Sequence, residues 1–117
     1  GHLWIDPEIT DNIGASSTWH GCTLTRVQGG IIARNTFVGL PGGNASNPPT
    51  PWIEATFGAT GVDCHDNIAN SIGGGLSISG NVITGRMDPA KYRGIFPKWD
   101  GSTPFTGAAD ARAKLAR

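Results

Sequence analysis

The chain has 117 residues, nine basic and nine acidic side chains, and a net charge of zero. That length bounds it to one domain with a modest core, and the balanced charge gives no electrostatic ground for binding nucleic acid or an anionic membrane. Only 15% of residues are charged and 18 are glycine, where a quarter charged is usual. Gly, Ser, Thr and Asn stand in for the customary Lys/Glu surface, which fits an all-β repeat protein and argues against a helical bundle. No apolar run approaches the roughly 18 residues that span a bilayer.

Along the chain, Gly1-His2 reads as a cloning remnant and Leu3-Trp4-Ile5 as mid-domain sequence. Together with a helical pattern at 111–117 that stops abruptly, this gives the expectation of a piece cut from a longer protein. Asp11-Asn12-Ile13-Gly14 is the first turn mark. Short alternating stretches at 22–27, 30–34, 62–65 and 76–79 predict strands. Between them, 39–51 is made of loop formers, with four prolines and an Asn44-Ala45-Ser46 glycosylation triplet, and reads as an inserted loop. Cys22 and Cys64 fall at apolar-phase positions and read as two buried thiols; a single bridge stays open, and two cysteines alone make no metal site.

The clearest pattern is a pair of parallel phrases, Gly61-Val62-Asp63-Cys64-His65-Asp66-Asn67-Ile68 and Gly75-Leu76-Ser77-Ile78-Ser79-Gly80-Asn81-Val82, with a looser copy at Gly30-Ile31-Ile32-Ala33-Arg34-Asn35. Each begins at Gly, alternates apolar and polar, and closes on Asn. The Asn positions 12, 35, 67 and 81 are spaced by 23, 32 and 14 residues. Self-similarity of this kind marks stacked architectures. A spacing of 23 matches one turn of a three-sided coil, and 32 matches a turn plus the inserted loop. The spacing of 14 is too short for a full turn, so either the last coil is truncated or 76–79 lies on another sheet of the same coil. The Asn is expected to hold a left-handed turn conformation and to stack amide on amide about 4.8 Å apart between neighbouring strands.

Past Gly85 the repeat ends. The stretch 86–102 predicts irregular structure, with Tyr92 and Phe96 packed on the side or end of the stack. Thr103-Pro104 reads as an N-cap and first helical position. The alanine-rich 108–116, with Asp110 and Lys114 at i,i+4, reads as a helix capping an open end. The organisation expected is thus coils over 3–85 with an insertion at 39–51, then an irregular segment and capping helix over 86–117.

Gly-led strands closed by Asn resemble the right-handed parallel β-helix superfamily, which includes pectate-lyase-like and other polysaccharide-active proteins and phage tailspikes. The resemblance covers residues 9–85. It implies an all-β right-handed parallel β-helix of few coils, carbohydrate bound along the outer face of one sheet, and a secreted, extracellular or virion-associated setting. Asp63-Cys64-His65-Asp66 also resembles the Asp-Pro-His-Asp/Glu motif of β-helical alginate C5-epimerases, in which Asp and His contribute to catalysis. Here Cys64 stands in place of Pro, and Thr60-Gly61-Val62 in place of the Tyr-Gly-Phe of some members.

Alternation turns Val62 and Cys64 inward and Asp63 and His65 outward, roughly 6.5 Å apart on one face. Aligning the strands on their leading Gly puts Arg34 in the column of His65, with Ser79 on the other side. His65 then serves as acid or base, Arg34 pairs with a sugar carboxylate, and Asp63 orients the His or holds Ca²⁺; no other cofactor is expected. Lys91 and Arg93, with Arg86 near them, are further candidates for a uronate. Trp4, Trp19, Trp52 and Trp99 read as lying at coil edges or in loops. Trp52, directly after the Pro-rich insertion, is the one expected to stack on sugar. His20 reads as a loop residue.

Two functions compete at this level. One is part of a polysaccharide lyase or epimerase acting on a uronate-containing glycan. A hydrolase ranks lower, because it wants two carboxylates about 5–9.5 Å apart, and Asp63 and Asp66 do not share a face. The other is a non-catalytic module for carbohydrate binding, adhesion or tailspike assembly, favoured by small size and bland Ser/Thr/Gly faces. With few coils the end strands stay open, so a homo-oligomer is expected, a trimer or an end-to-end stack.

Overall fold

The structure, a computed structural model, describes residues 3–18, 20–40, 50–85 and 89–116. Trp19, Asn44 and Arg86, and most of the predicted inserted loop, lie outside the described residues. The described chain is mostly strand: β1 (Trp4–Ile5), β2 (Glu8–Thr10), β3 (Ile13–Ser16), β4 (His20–Thr25), β5 (Val27–Gln28), β6 (Ile31–Ala33), β7 (Thr36–Gly39), β8 (Trp52–Thr56), β9 (Val62–His65), β10 (Ile68–Ala69), β11 (Ser71–Gly74), β12 (Leu76–Ser79) and β13 (Val82–Ile83). Two short helices follow, α1 (Pro89–Arg93) and α2 (Ala108–Lys114). The fold is therefore all-β with a small helical tail.

Every strand pairing is parallel. The sheets have the orders β12-β9-β6-β2, β13-β10-β7-β3, β11-β8-β4 and β1-β5. The chain visits the first three sheets in the same sequence on each passage, through β2-β3-β4, then β6-β7-β8, then β9-β10-β11, then β12-β13. Each strand pairs with its counterpart in the next passage, so side chains line up in columns such as Ile9–Ile32–Cys64–Ile78 and Gly14–Phe37–Ala69–Ile83. Residues from all three larger sheets build one apolar cluster of Val27, Ile32, Phe37, Ile53, Val62, Cys64 and Ala69.

The spacing of 14 closes a complete circuit. Ser77, Ile78 and Ser79 pair with Asp63, Cys64 and His65 in the same sheet, so 76–79 does not lie on another sheet; the last passage is the truncated one, with β12 and β13 but no strand in the third sheet among the described residues. The economy comes from connections of one or two residues: β10 follows β9 after Asp66-Asn67, β11 follows after Asn70, and β12 after Gly75. Glycine makes the tightest of these bends possible. Gly74 has φ +84, and a Cβ there would run into the Ala55 carbonyl.

The asparagines form the predicted ladder at the bend between the first two sheets. Asn12 donates its backbone N–H and Nδ2 to Asn35 Oδ1 at 3.0 and 2.9 Å. Asn35 does the same to Asn67 Oδ1 at 2.9 and 3.0 Å, and Asn67 to Asn81 Oδ1 at 2.9 and 3.0 Å. The ladder has a direction: the Oδ1 of Asn35, Asn67 and Asn81 each accepts from the Asn of the preceding passage. The left-handed residue, however, is the one before each Asn. Asp11, Arg34, Asp66 and Gly80 have φ of +59, +57, +57 and +64. The Asn itself supplies the hydrogen bonds that hold that bend.

The C-terminal segment packs on the outer face of the β13-β10-β7-β3 sheet. Tyr92, Phe96, Trp99 and Leu115 bury against Val38 and Ile68, and Asn70 Nδ2 donates to the Tyr92 hydroxyl at 3.1 Å. Part of the predicted irregular stretch is the helix α1, and α2 covers this sheet face, touching β3, rather than an end of the stack. Thr103 is not a helix cap. Its N–H and that of Ser102 bond Asp100 Oδ1 in a turn at 3.0 and 2.9 Å, holding the Asp100 carboxyl down to about 2. The helix begins after Gly107 without a side-chain cap, and the Asp110–Lys114 pair forms at 3.1 Å. Trp4 and Trp52 lie in strands, not in loops, and Trp99 is a core residue.

Candidate functional site

In β9, Val62 and Cys64 are buried while Asp63 is exposed and His65 half-buried, so alternation sets the faces as the sequence suggests. Ser79 sits beside His65 in the register. The neighbour on the other side is Ala33, not Arg34. Arg34 belongs to the bend column, between Asp11 and Asp66, and its Nε and terminal nitrogen grip Asp11 Oδ1 and Oδ2 at 2.9 and 2.8 Å. That bidentate pair raises the guanidinium pKa further and occupies the fork that a sugar carboxylate would need.

The carboxylate at His65 is also a different one. His65 Nδ1 lies 2.9 Å from Asp66 Oδ2, whereas Asp63 is the expected orienting group. Asp66 reaches the ring because its left-handed backbone folds the side chain back beside the strand it has just left. The arrangement fixes the imidazole through one nitrogen. Asp63 instead flanks a shallow concavity with Asp6, Glu8, Gly29, Gly30 and Gly61. Among the described residues, no group of three or more His, Cys, Asp or Glu is placed to hold a metal ion. Cys22 and Cys64 are free thiols; burial pushes the Cys64 thiol up to about 11, against a smaller opposing effect of the Asn67 amide.

Lys91 and Arg93 are exposed on α1, while Tyr92 between them is buried against the β13-β10-β7-β3 sheet. They are thus on the face of a different sheet from His65, and the structure does not join the two groups into one site. Arg93 lines a concavity of about 380 Å³ together with Lys98, Trp99, Asp100 and Lys114.

Trp52 opens β8 and faces outward from the β11-β8-β4 sheet. Its column runs His20–Trp52–Ser71, and the next outward column runs Thr23–Glu54–Gly73. Neighbouring side chains hold the indole. Its Nε1 donates to Thr23 Oγ1 at 3.1 Å, and the His20 ring meets it edge-on with centroids 5.1 Å apart. On the other side of Trp52 is a groove of about 250 Å³, lined also by Glu54, Ser71 and Gly73. No atom lies within 4 Å of where a Gly73 Cβ would stand, so the missing side chain is what keeps the groove open. Glu54 and the aromatic contact of His20 are the members that the sequence reading passed over. The alternation of β8, with Ile53 and Ala55 buried, is the signal that would have placed Glu54 beside Trp52.

Comparison of the chain with protein-family models, with curated proteins and with solved structures finds no match.

Proposed function

We propose that this chain is a right-handed parallel β-helix module that binds polysaccharide on the outer face of the β11-β8-β4 sheet, without catalysing a reaction there. Support for the helix is the repeated passage through three parallel sheets in fixed order, tied by the Asn ladder. Right-handed crossover is the general rule for parallel strands. The observation that carries the function is the Trp52 groove. A held indole offers an apolar platform for the axial C–H face of a pyranose, and Glu54 and Ser71 stand beside it to take the sugar hydroxyls. One aromatic platform with a few hydrogen bonds supports a Kd on the order of 1 mM per site, the weak regime in which a polymer binds by rebinding along its length. An extracellular or virion-surface setting, as the resemblance implies, belongs to the same reading.

The test is a glycan-array screen followed by titration of the best polymer against the native chain and Trp52→Ala. Loss of binding in Trp52→Ala, with an unchanged far-ultraviolet circular dichroism spectrum, is the expected result. Full binding by that variant would place the ligand elsewhere and overturn the assignment.

The contact between His65 Nδ1 and the Asp66 carboxylate favours a second reading, a lyase or epimerase on a uronate glycan. In it, His65 Nε2 exchanges the proton next to the sugar carboxylate while Asp66 holds Nδ1. It ranks second because Arg34 is engaged by Asp11 and the α1 cations are on another sheet, which leaves the uronate carboxylate without a counter-ion at His65 among the described residues. New absorbance from unsaturated uronate, abolished by His65→Ala, would favour this reading over the first.

A further inference from the structure

The last passage of the chain ends in an open edge made of inward-facing side chains. Ile78 and Ile83 belong to the two core columns named above, yet they are 61% and 49% exposed. Ile72, of the third sheet's inward column Cys22–Ile53–Ile72, joins them around a hollow of about 230 Å³ that also includes Asn81. In the described structure the segment after this edge, α1 onward, covers a sheet face and leaves the edge open.

The opposite edge carries the complementary features. The ladder is directional, so its two ends differ. At the last passage, Asn81 Nδ2 donates to the Cys64 carbonyl at 2.9 Å, but among the described residues its backbone N–H lacks the Oδ1 acceptor that Asn12, Asn35 and Asn67 each have. At the first passage, Asn12 Oδ1 accepts from no other ladder Asn among the described residues. The volumes also match. The column Gly14–Phe37–Ala69–Ile83 alternates small and large, and a Gly14 laid over Ile83 continues the alternation. Likewise Ile9 continues Ile78.

We infer that the open edge docks the first passage of a second copy of this chain, head to tail and in strand register. In this arrangement β12 of one copy pairs with β2 of its neighbour, and β13 pairs with β3. Asn12 Oδ1 of the neighbour accepts from Asn81. Outward, Glu8 of the neighbour falls on Ser77, and Thr10 on Ser79. The net charge of zero removes long-range repulsion between copies. Because the two surfaces are different, the contact is heterologous: each added copy exposes a fresh open edge, and growth does not stop at two.

Sedimentation velocity over a range of concentrations tests this on the 117-residue chain. The expected result is a weight-average mass that climbs with concentration past the dimer value. Ser77→Glu, which sets a carboxylate against Glu8 of the next copy, and Ile78→Lys, at a position already exposed, each weaken association at least tenfold with unchanged far-ultraviolet circular dichroism. Glu8→Lys added to Ser77→Glu restores it. A native chain that stays monomeric at millimolar concentration overturns the inference. So does a mass that plateaus at a closed dimer or trimer, or one that Ser77→Glu and Ile78→Lys leave unchanged.

Discussion

Replacing Asn67 by Ala tests whether the amide ladder is structural support or decoration. Asn67 is fully buried. Its Oδ1 accepts from Asn35 N–H and Nδ2, and its Nδ2 donates to the Ile32 carbonyl at 2.8 Å and to Asn81 Oδ1 at 3.0 Å. Truncation strands the Asn35 backbone N–H in a fully buried site, a penalty of about 1–3 kcal/mol. Three further bonds are lost at about 0.5–1.5 kcal/mol each. The expected loss is therefore about 3–7 kcal/mol, a large part of the roughly 5–15 kcal/mol that a domain possesses. Asn12→Ala is the control. Asn12 makes the same type of bonds at the exposed first passage, where water replaces them, and a cost of about 0.5–1.5 kcal/mol is expected. Urea unfolding followed by circular dichroism, at a protein concentration low enough to suppress association, measures both. If the two variants differ by less than about 1 kcal/mol, the ladder does not carry the bend.

Gly74→Ala and its neighbour Gly73→Ala should differ sharply. The first forces a Cβ into the Ala55 carbonyl at φ +84 and should cost at least about 2 kcal/mol. The second enters open space and should leave stability within about 1 kcal/mol of native, while Gly73→Leu should block the Trp52 groove and abolish glycan binding; denaturant melts and titration distinguish these outcomes. The Cys64 thiol is held protonated by burial, with its pKa raised from 9.0 to about 11. Its contribution to stability is complete below pH 9 and declines as pH rises from 9 through 11; thermal melts across that range should show a shallower decline in Cys64→Ala. Asp100 works in the opposite sense. Its carboxyl is lowered from 3.8 to about 2 by the Ser102 and Thr103 N–H groups, so the turn it closes is intact above pH 4 and is lost as pH falls through 2. Asp100→Asn should remove that acid transition from amide-exchange profiles of residues 102 and 103.

The repeat was legible because both its glycines and its asparagines serve local backbone needs that any single passage shows. The register was harder to read, and Arg34 shows why. Leading glycines tempt an alignment of Gly30 with Gly61, but five residues separate Gly30 from Asn35 and six separate Gly61 from Asn67. The hydrogen-bonded Asn fixes the register; the Gly does not. Aligning on Asn sets Ala33 beside His65 and Arg34 beside Asp66, as the structure has it. The left-handed residue was missed for a related reason. Two of the four, Asp11 and Asp66, are of a type enriched in that conformation, but Arg34 is not and is held there by the ladder next to it. Trp52 was singled out from its position after a Pro-rich stretch, but its partners Glu54, Ser71 and Gly73 come from two strands and become neighbours only through pairing. The Thr103 cap failed because the Asp100 side chain, three residues earlier, claims the N–H groups of that turn first.

The short last passage has a consequence for the order of folding. Joining Asn67 to Asn81 closes a loop of 14 residues, against 32 for Asn35 to Asn67. The chain entropy lost in the shorter closure is smaller by about 0.7 kcal/mol, and its connections are already preset by Gly74, Gly75 and Gly80. The seam should therefore nucleate at its C-terminal rung and zip toward Asn12, each finished rung templating the one before it. Slowing this process would take a change in the last passage, such as lengthening the 14-residue loop. Changes at the long 39–51 stretch should alter the folding rate much less.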